Sequence, residues 1–249
     1  MPDGGYVIGN YEINLVSNSK NIKNTGQKSK ERSAVLIGNP PFTGAVSPLP
    51  GTKIELENVA KELSIGGYEA TKFTAAKATE ANLKAVTTPK ILHIATHGYF
   101  LKDQQVRSEK VFGVSAESAR NNPLLRSGLL LKGAEKTIDN QNASLESSDN
   151  GILTAYEALN LNLERIELVV LSACETGSGD VKAGEGVYGL QRAFLAAGSN
   201  SLIMSLWKVD DAATQELMSL FYKYWISSGN RSRAFQQAQT KIKNKYVSP

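Results

Sequence analysis

The sequence predicts an α/β fold, with a mostly parallel central sheet and helices on both faces. Three observations lead there. Strand-like apolar runs alternate with helical stripes along the chain. The strongest run, Leu168-Val169-Val170-Leu171, is apolar without alternation, as expected of a strand buried on both faces. Turn signals at Gly38-Asn39-Pro40-Pro41, Gly66-Gly67, Gly198 and Gly229 fall where one element must hand over to the next.

Taken in order, Tyr11 to Val16 reads as a short edge strand. Ser17 to Ser33 is polar and strongly basic, with Lys20, Lys23, Lys28, Lys30 and Arg32 against Glu31. It reads as a solvated linker, or alternatively as a basic tether for an acidic partner. The expected division is therefore residues 1–32 as edge strand and linker, and 33–249 as one α/β domain. Ala34 to Ile37 is a buried strand. Lys53 to Ser64 spaces Leu56, Val59, Ala60 and Leu63 as a helix. Tyr68 to Phe73 is a weak strand, and Thr79 to Val86 a short helix ending before Pro89. Ile91 to His97 is a strand that Gly98 is expected to stop. Tyr99 to Asn150 is long and polar with one apolar island, Gly128 to Leu131, and reads as a loop insertion near an active site. Thr154 with Glu157 forms a capping-box pattern. After the Leu168 strand come a helix on Val187, Leu190, Phe194 and Ala197, a buried strand over Ser201 to Trp207, a helix from Ala213 to Tyr224, and a basic helix from Ser232 to Tyr246.

Composition excludes several function classes. The 249 residues are 41% hydrophobic and 21% charged, ordinary for a folded domain. A net charge of +4 is too mild to mark a nucleic-acid binder. No apolar run approaches the roughly 18 residues of a membrane span. Met1-Pro2-Asp3-Gly4-Gly5 does not begin a secretory signal, so a cytoplasmic location is expected. With Cys174 as the one cysteine and His93 and His97 as the two histidines, neither an internal disulfide nor a metal site is expected.

In open parallel sheets, chemistry sits beyond the carboxyl ends of the strands. His97 closes one strand and Cys174 another. If the two are adjacent, an imidazole and a thiol share one rim. Imidazole can take the thiol proton and later return it to a leaving amine. The N–H groups of Gly98 and Cys174 could hold an oxyanion. Each residue alone also fits a plainer role: cysteine as a small buried hydrophobe, histidine as a satisfied strand-end residue. His93, on the same face as His97, reads as structural. Gly184-Glu185-Gly186-Val187-Tyr188-Gly189 matches the dinucleotide fingerprint GxGxxG on paper. It opens too far beyond its strand to set a pyrophosphate on a helix N-terminus, so nucleotide binding is a remote reading. The glycines better suit a flexible loop passing near Cys174.

The blocks Ile91-Leu92-His93-Ile94-Ala95-Thr96-His97-Gly98 and Leu168 to Gly177, which includes Ser172-Ala173-Cys174-Glu175-Thr176-Gly177, resemble the CHAT domain, a caspase-like family related to separase. Pro48-Leu49-Pro50-Gly51, Asn122 to Leu129, Gly184-Glu185-Gly186 and Ser205 to Asp211 resemble it too. The resemblance implies a three-layer caspase–hemoglobinase-like fold and a cysteine endopeptidase without cofactor or metal. In it His97 is the base, Cys174 the nucleophile and Gly98 an oxyanion donor. Asp210, Asp211 and Glu185 are candidates to line an acidic pocket for a substrate Arg or Lys. Asp210 and Asp211 also fit the plainer role of capping the following helix. The implied partners are a protein or peptide substrate and an upstream helical-repeat sensor or scaffold, with no direct nucleic-acid or membrane contact. Family chains continue into one more strand, so the expectation is either a sheet that lacks that edge or a sequence that is a piece of a longer protein. A non-proteolytic interaction module on the same fold is the alternative.

Overall fold

The computed structural model describes residues 32–44, 46–101, 110–111, 114–139, 149–175, 185–205 and 209–246. The expected strand at Tyr11–Val16 and most of the basic linker lie outside them. The strands are β1 (Ser33–Gly38), β2 (Glu69–Thr74), β3 (Ile91–Phe100), β4 (Lys110–Val111), β5 (Val114–Ser115), β6 (Ser127–Leu130), β7 (Ile152–Thr154), β8 (Leu168–Glu175) and β9 (Leu202–Met204). The helices are α1 (Pro50–Ile65), α2 (Glu80–Lys84), α3 (Ala116–Asn121), α4 (Ala134–Asp139), α5 (Ala155–Ala158), α6 (Glu185–Ala196), α7 (Asp211–Ser228) and α8 (Arg231–Tyr246).

Five strands form a parallel sheet in the order β2-β1-β3-β8-β9, and β6 with β7 extend it antiparallel. On one edge, β3 pairs with β8 over Ile91 to Gly98. On the other it pairs with β1 up to Ala95, then with β6 from His97 to Phe100. The sheet thus changes partner at Thr96, whose hydroxyl donates to the Leu130 carbonyl. Gly98 does not stop β3, contrary to expectation. The incoming β6 continues the ladder, and a glycine breaks a strand only where no partner keeps its backbone bonded.

The segment Tyr99 to Asn150 is likewise not a simple loop insertion. Its described part contributes β4, β5, α3, β6 and α4. Gly128 fits β6 between its neighbours: a Cβ there would stand 2.6 Å from the Leu153 carbonyl oxygen and 2.7 Å from the Tyr99 ring. The β9 strand is shorter than expected and half-buried, because β8 is its one neighbour among the described residues.

Side chains alternate between two cores. Ile91, Ala95, Leu168 and Val170 pack with Leu56 and Val59 of α1, Phe221 of α7 and Ala234 of α8. Leu92, Ile94, Val169 and Leu171 pack with Leu83 of α2, Ala158 of α5 and Phe194 of α6 on the opposite face. Three layers result, as expected. A third cluster, with Phe42, Tyr99, Leu130 and Ile152, closes the antiparallel end. Phe221 is fully buried, stacked on Trp225 at 5.7 Å and edge-on to Phe235 at 5.6 Å. Such a ring contributes about 1.5–3 kcal/mol through burial.

Local signals place the boundaries. Thr154 and Glu157 form both halves of the capping box. Asp210 caps α7 by accepting from the Ala213 N–H, and Gly229 ends it at φ 72°. Pro50 opens α1 earlier than its apolar stripe indicated, since proline needs no N–H partner at a first helical position. Among the described residues, no helix is long and apolar enough to cross a membrane.

Candidate active site

His97 lies on the α1/α7 face of β3, at the first residue after the partner switch. Its Cα partner across the parallel ladder is Cys174 of β8. The two residues singled out from sequence are therefore direct neighbours. The Cys174 side chain lies outside the described part of the structure.

His97 is 7% exposed. Its Nε2 lies 2.7 Å from the carbonyl oxygen of Ser47. A carbonyl only accepts, so Nε2 carries the proton and Nδ1 keeps the lone pair in the neutral ring. Nδ1 is buried and has no hydrogen-bond partner among the described residues. The Phe42 ring, 5.3 Å away and tilted, packs against the imidazole. Burial pushes the His97 pKa below the usual imidazole value; the Ser47 carbonyl and the charge of Asp211 pull it partly back up. The ring is thus a neutral base at neutral pH.

Ser47 is held by the geometry around it. At the end of β1, Gly38 admits the Ala95 carbonyl, which would lie 2.2 Å from a Cβ at that position. Asn39, at φ 52°, then turns the chain away from the sheet. The chain returns past His97 and enters α1 at Pro50. There the Gly51 N–H donates to Asp211 Oδ2 at 3.0 Å, and the Thr52 hydroxyl donates to the Leu49 carbonyl at 2.6 Å. Asp211, in the first turn of α7, therefore ties the start of α1 to α7 and adds negative potential at His97.

The remaining candidates divide. Asp210 is exposed and occupied as the α7 cap, its plainer role. Gly98 sits in the ladder, level with Glu175 and opposite Leu129. Glu185 is the first residue of α6; its side chain and most of the glycine loop lie outside the described residues. Gly189 has a packing reason: a Cβ there would stand 2.9 Å from Ser127 Oγ.

Sequence reasoning missed Ser47 and Glu55. Ser47 acts through its backbone carbonyl, which no residue type signals. Glu55 left a trace: it shares the buried stripe of α1 with Thr52, Leu56, Val59 and Leu63. A carboxylate on an apolar face marks a buried polar role.

These features define an α/β domain with a buried histidine and a cysteine in register on adjacent parallel strands. A CHAT domain family model matches residues 1–247, and the chain belongs to that family, which is related to caspase-like proteases. It is similar to tetratricopeptide repeat protein 28 of Homo sapiens, 28% identical over 244 residues that cover 93% of this chain and 10% of that protein. The Mus musculus protein of the same name is 27% identical over 227 residues, covering 87% of this chain and 9% of that protein. The chain thus spans about a tenth of the length of these relatives.

Proposed function

We propose that this domain is a CHAT-type cysteine endopeptidase. The observation that carries the reading is the register of His97 against Cys174, with the Nε2 proton of His97 committed to Ser47 and its Nδ1 lone pair uncommitted among the described residues. The two residues hold level positions on adjacent parallel strands, at the end of the sheet where β3 changes partner, and on that backbone register the pairing of thiol and imidazole is proposed. Nδ1 takes the Cys174 proton, and the thiolate attacks the carbonyl carbon of a peptide bond. The resulting imidazolium protonates the leaving amine as the C–N bond breaks, leaving a thioester. Water then adds to the thioester, gives a proton to Nδ1, and releases the acid and the thiol. Gly98 and Cys174 both sit in the β3–β8 ladder, so their N–H groups serve a developing oxyanion only where that ladder opens.

The substrate is a protein or peptide. Asp211, beside the site, favours a basic residue there by charge. The repeat-containing names of the relatives support an upstream helical-repeat scaffold as partner, and also a second reading in which the domain recruits proteins without cutting them. Profiling with a diverse peptide library, with Cys174→Ala as control, separates the two. Cys174-dependent products are expected; their complete absence, with the native fold intact, favours the recruiting module.

A further inference from the structure

A second polar group lies on the same face of the sheet as His97 and takes no part in the proposed chemistry. Glu55 of α1 is 1% exposed; His93 of β3 and Tyr222 of α7 are fully buried, and Ser172 of β8 nearly so. Glu55 Oε1 lies 2.8 Å from His93 Nε2, and the Ser172 hydroxyl donates to Oε2 at 2.9 Å. The Tyr222 hydroxyl lies 3.1 Å from His93 Nδ1. A carboxylate only accepts, so Nε2–H donates to Glu55, and in the neutral ring Nδ1 accepts from the Tyr222 hydroxyl. Burial and the nearby Glu55 charge hold the Tyr222 pKa well above the ordinary phenol value, which keeps it a donor.

A buried polar cluster is weak evidence of stability, since well-packed apolar residues often serve as well. Its location is more informative. Glu55 bonds the two strands that carry the proposed dyad, β3 through His93 and β8 through Ser172. It does so from the helix whose lead-in carries Ser47, the acceptor of His97. One carboxylate therefore ties together the three elements that set the positions of thiol, imidazole and imidazole acceptor.

We propose that Glu55 is a positioning residue for the peptidase reaction: by bonding His93 and Ser172 at once, it holds β3, β8 and α1 in the alignment that lets His97 deprotonate Cys174. This rests on the cysteine peptidase reading above. Cys174 is the one cysteine in the chain, so alkylation by iodoacetamide reports on it alone. The rate is measured against pH for the full chain and for Glu55→Gln, Ser172→Ala and His97→Ala, with thermal melting in parallel. Glu55→Gln is expected to slow alkylation at neutral pH about tenfold, a misalignment effect. It is also expected to move the inflection toward that of a free thiol, about 8.5. Ser172→Ala shifts the profile the same way by a smaller amount, and carries the test alone if Glu55→Gln does not fold. Folded variants that melt earlier but keep the parent profile overturn the proposal, because a merely structural role lowers stability without moving the inflection. A His97→Ala profile equal to the parent's overturns the dyad itself, so the two failures are distinguishable.

Discussion

His97 of β3 and Cys174 of β8 are Cα partners in a parallel ladder, at the point where β3 exchanges β1 for β6 on its other edge. The exchange leaves the end of β1 free to turn out of the sheet at Asn39, and the chain that returns brings the Ser47 carbonyl to the imidazole.

Burial of His97 sets a pH dependence. Its pKa is depressed in the folded protein, so it remains an unprotonated base below the ordinary imidazole value of 6.5. The acid limb of Cys174-dependent peptide cleavage is expected below that value. Stability follows the same sign: the unfolded chain takes up the His97 proton first, so this contribution is complete above about 6.5 and is lost as pH falls toward the folded value. In His97→Gln, Cys174-dependent cleavage is expected to be lost, and the loss of stability in that window is reduced. Rate profiles and urea melts against pH check both.

Asp211→Asn separates charge from geometry. Asparagine can still accept the Gly51 N–H, so melting is expected to change little. The Asp211 charge raises the His97 pKa, and its removal moves the acid limb to lower pH. If Asp211 also attracts a basic substrate residue, KM for Arg- or Lys-containing peptides rises while KM for neutral peptides stays. An unmoved acid limb would refute the electrostatic link to His97.

Gly51→Ala acts on the same contact sterically. A Cβ at Gly51 would stand 2.3 Å from Asp211 Oδ2, so the carboxylate must move and the start of α1 loses its tie to α7. The expected outcome is a loss of about 1 kcal/mol, from the broken hydrogen bond partly offset by the better helix propensity of alanine, together with slower alkylation of Cys174. Denaturant melts and alkylation rates measure the two effects.

Glu80 provides a pH effect remote from the site. It is fully buried, accepts from the Gly151 N–H at 3.1 Å, and pairs with Lys84, which also reaches Glu157 at 2.9 Å. Burial pushes the Glu80 pKa up to about 7. The folded state therefore holds a proton that the unfolded chain releases, and the stability this provides is full below about 4.5 and lost as pH climbs to 7. Glu157 has the opposite sign: its pKa is held low through its bonds to Lys84 and the Thr154 cap, so its contribution is lost in acid. Glu80→Gln, able to keep the Gly151 bond, is expected to melt progressively higher than the parent as pH rises from 5 to 8. A constant offset across that range would contradict this.

Much of the architecture was legible from residues alone. The apolar runs at Ala34, Ile91 and Leu168 became parallel neighbours, and Thr154, Asp210 and Gly229 took the capping and terminating places their chemistry suits. The region Tyr99 to Asn150 was not legible as structure. Its strand β6 is four residues long; the apolar island Gly128 to Leu131 marked the place, but a run that short becomes a strand only through its pairing with β3 and β7.

Residue pattern alone was enough for the α/β class, for most elements outside Tyr99 to Asn150, and for His97 and Cys174 as candidates, because periodicity, caps and side-chain type are local properties. Only the tertiary structure decided that His97 faces Cys174 across a ladder, that its acceptor is the Ser47 carbonyl, and that Glu55 bridges His93 and Ser172. Those relations depend on strand register and backbone carbonyls. Long-range pairing fixes the first, and every residue carries the second alike.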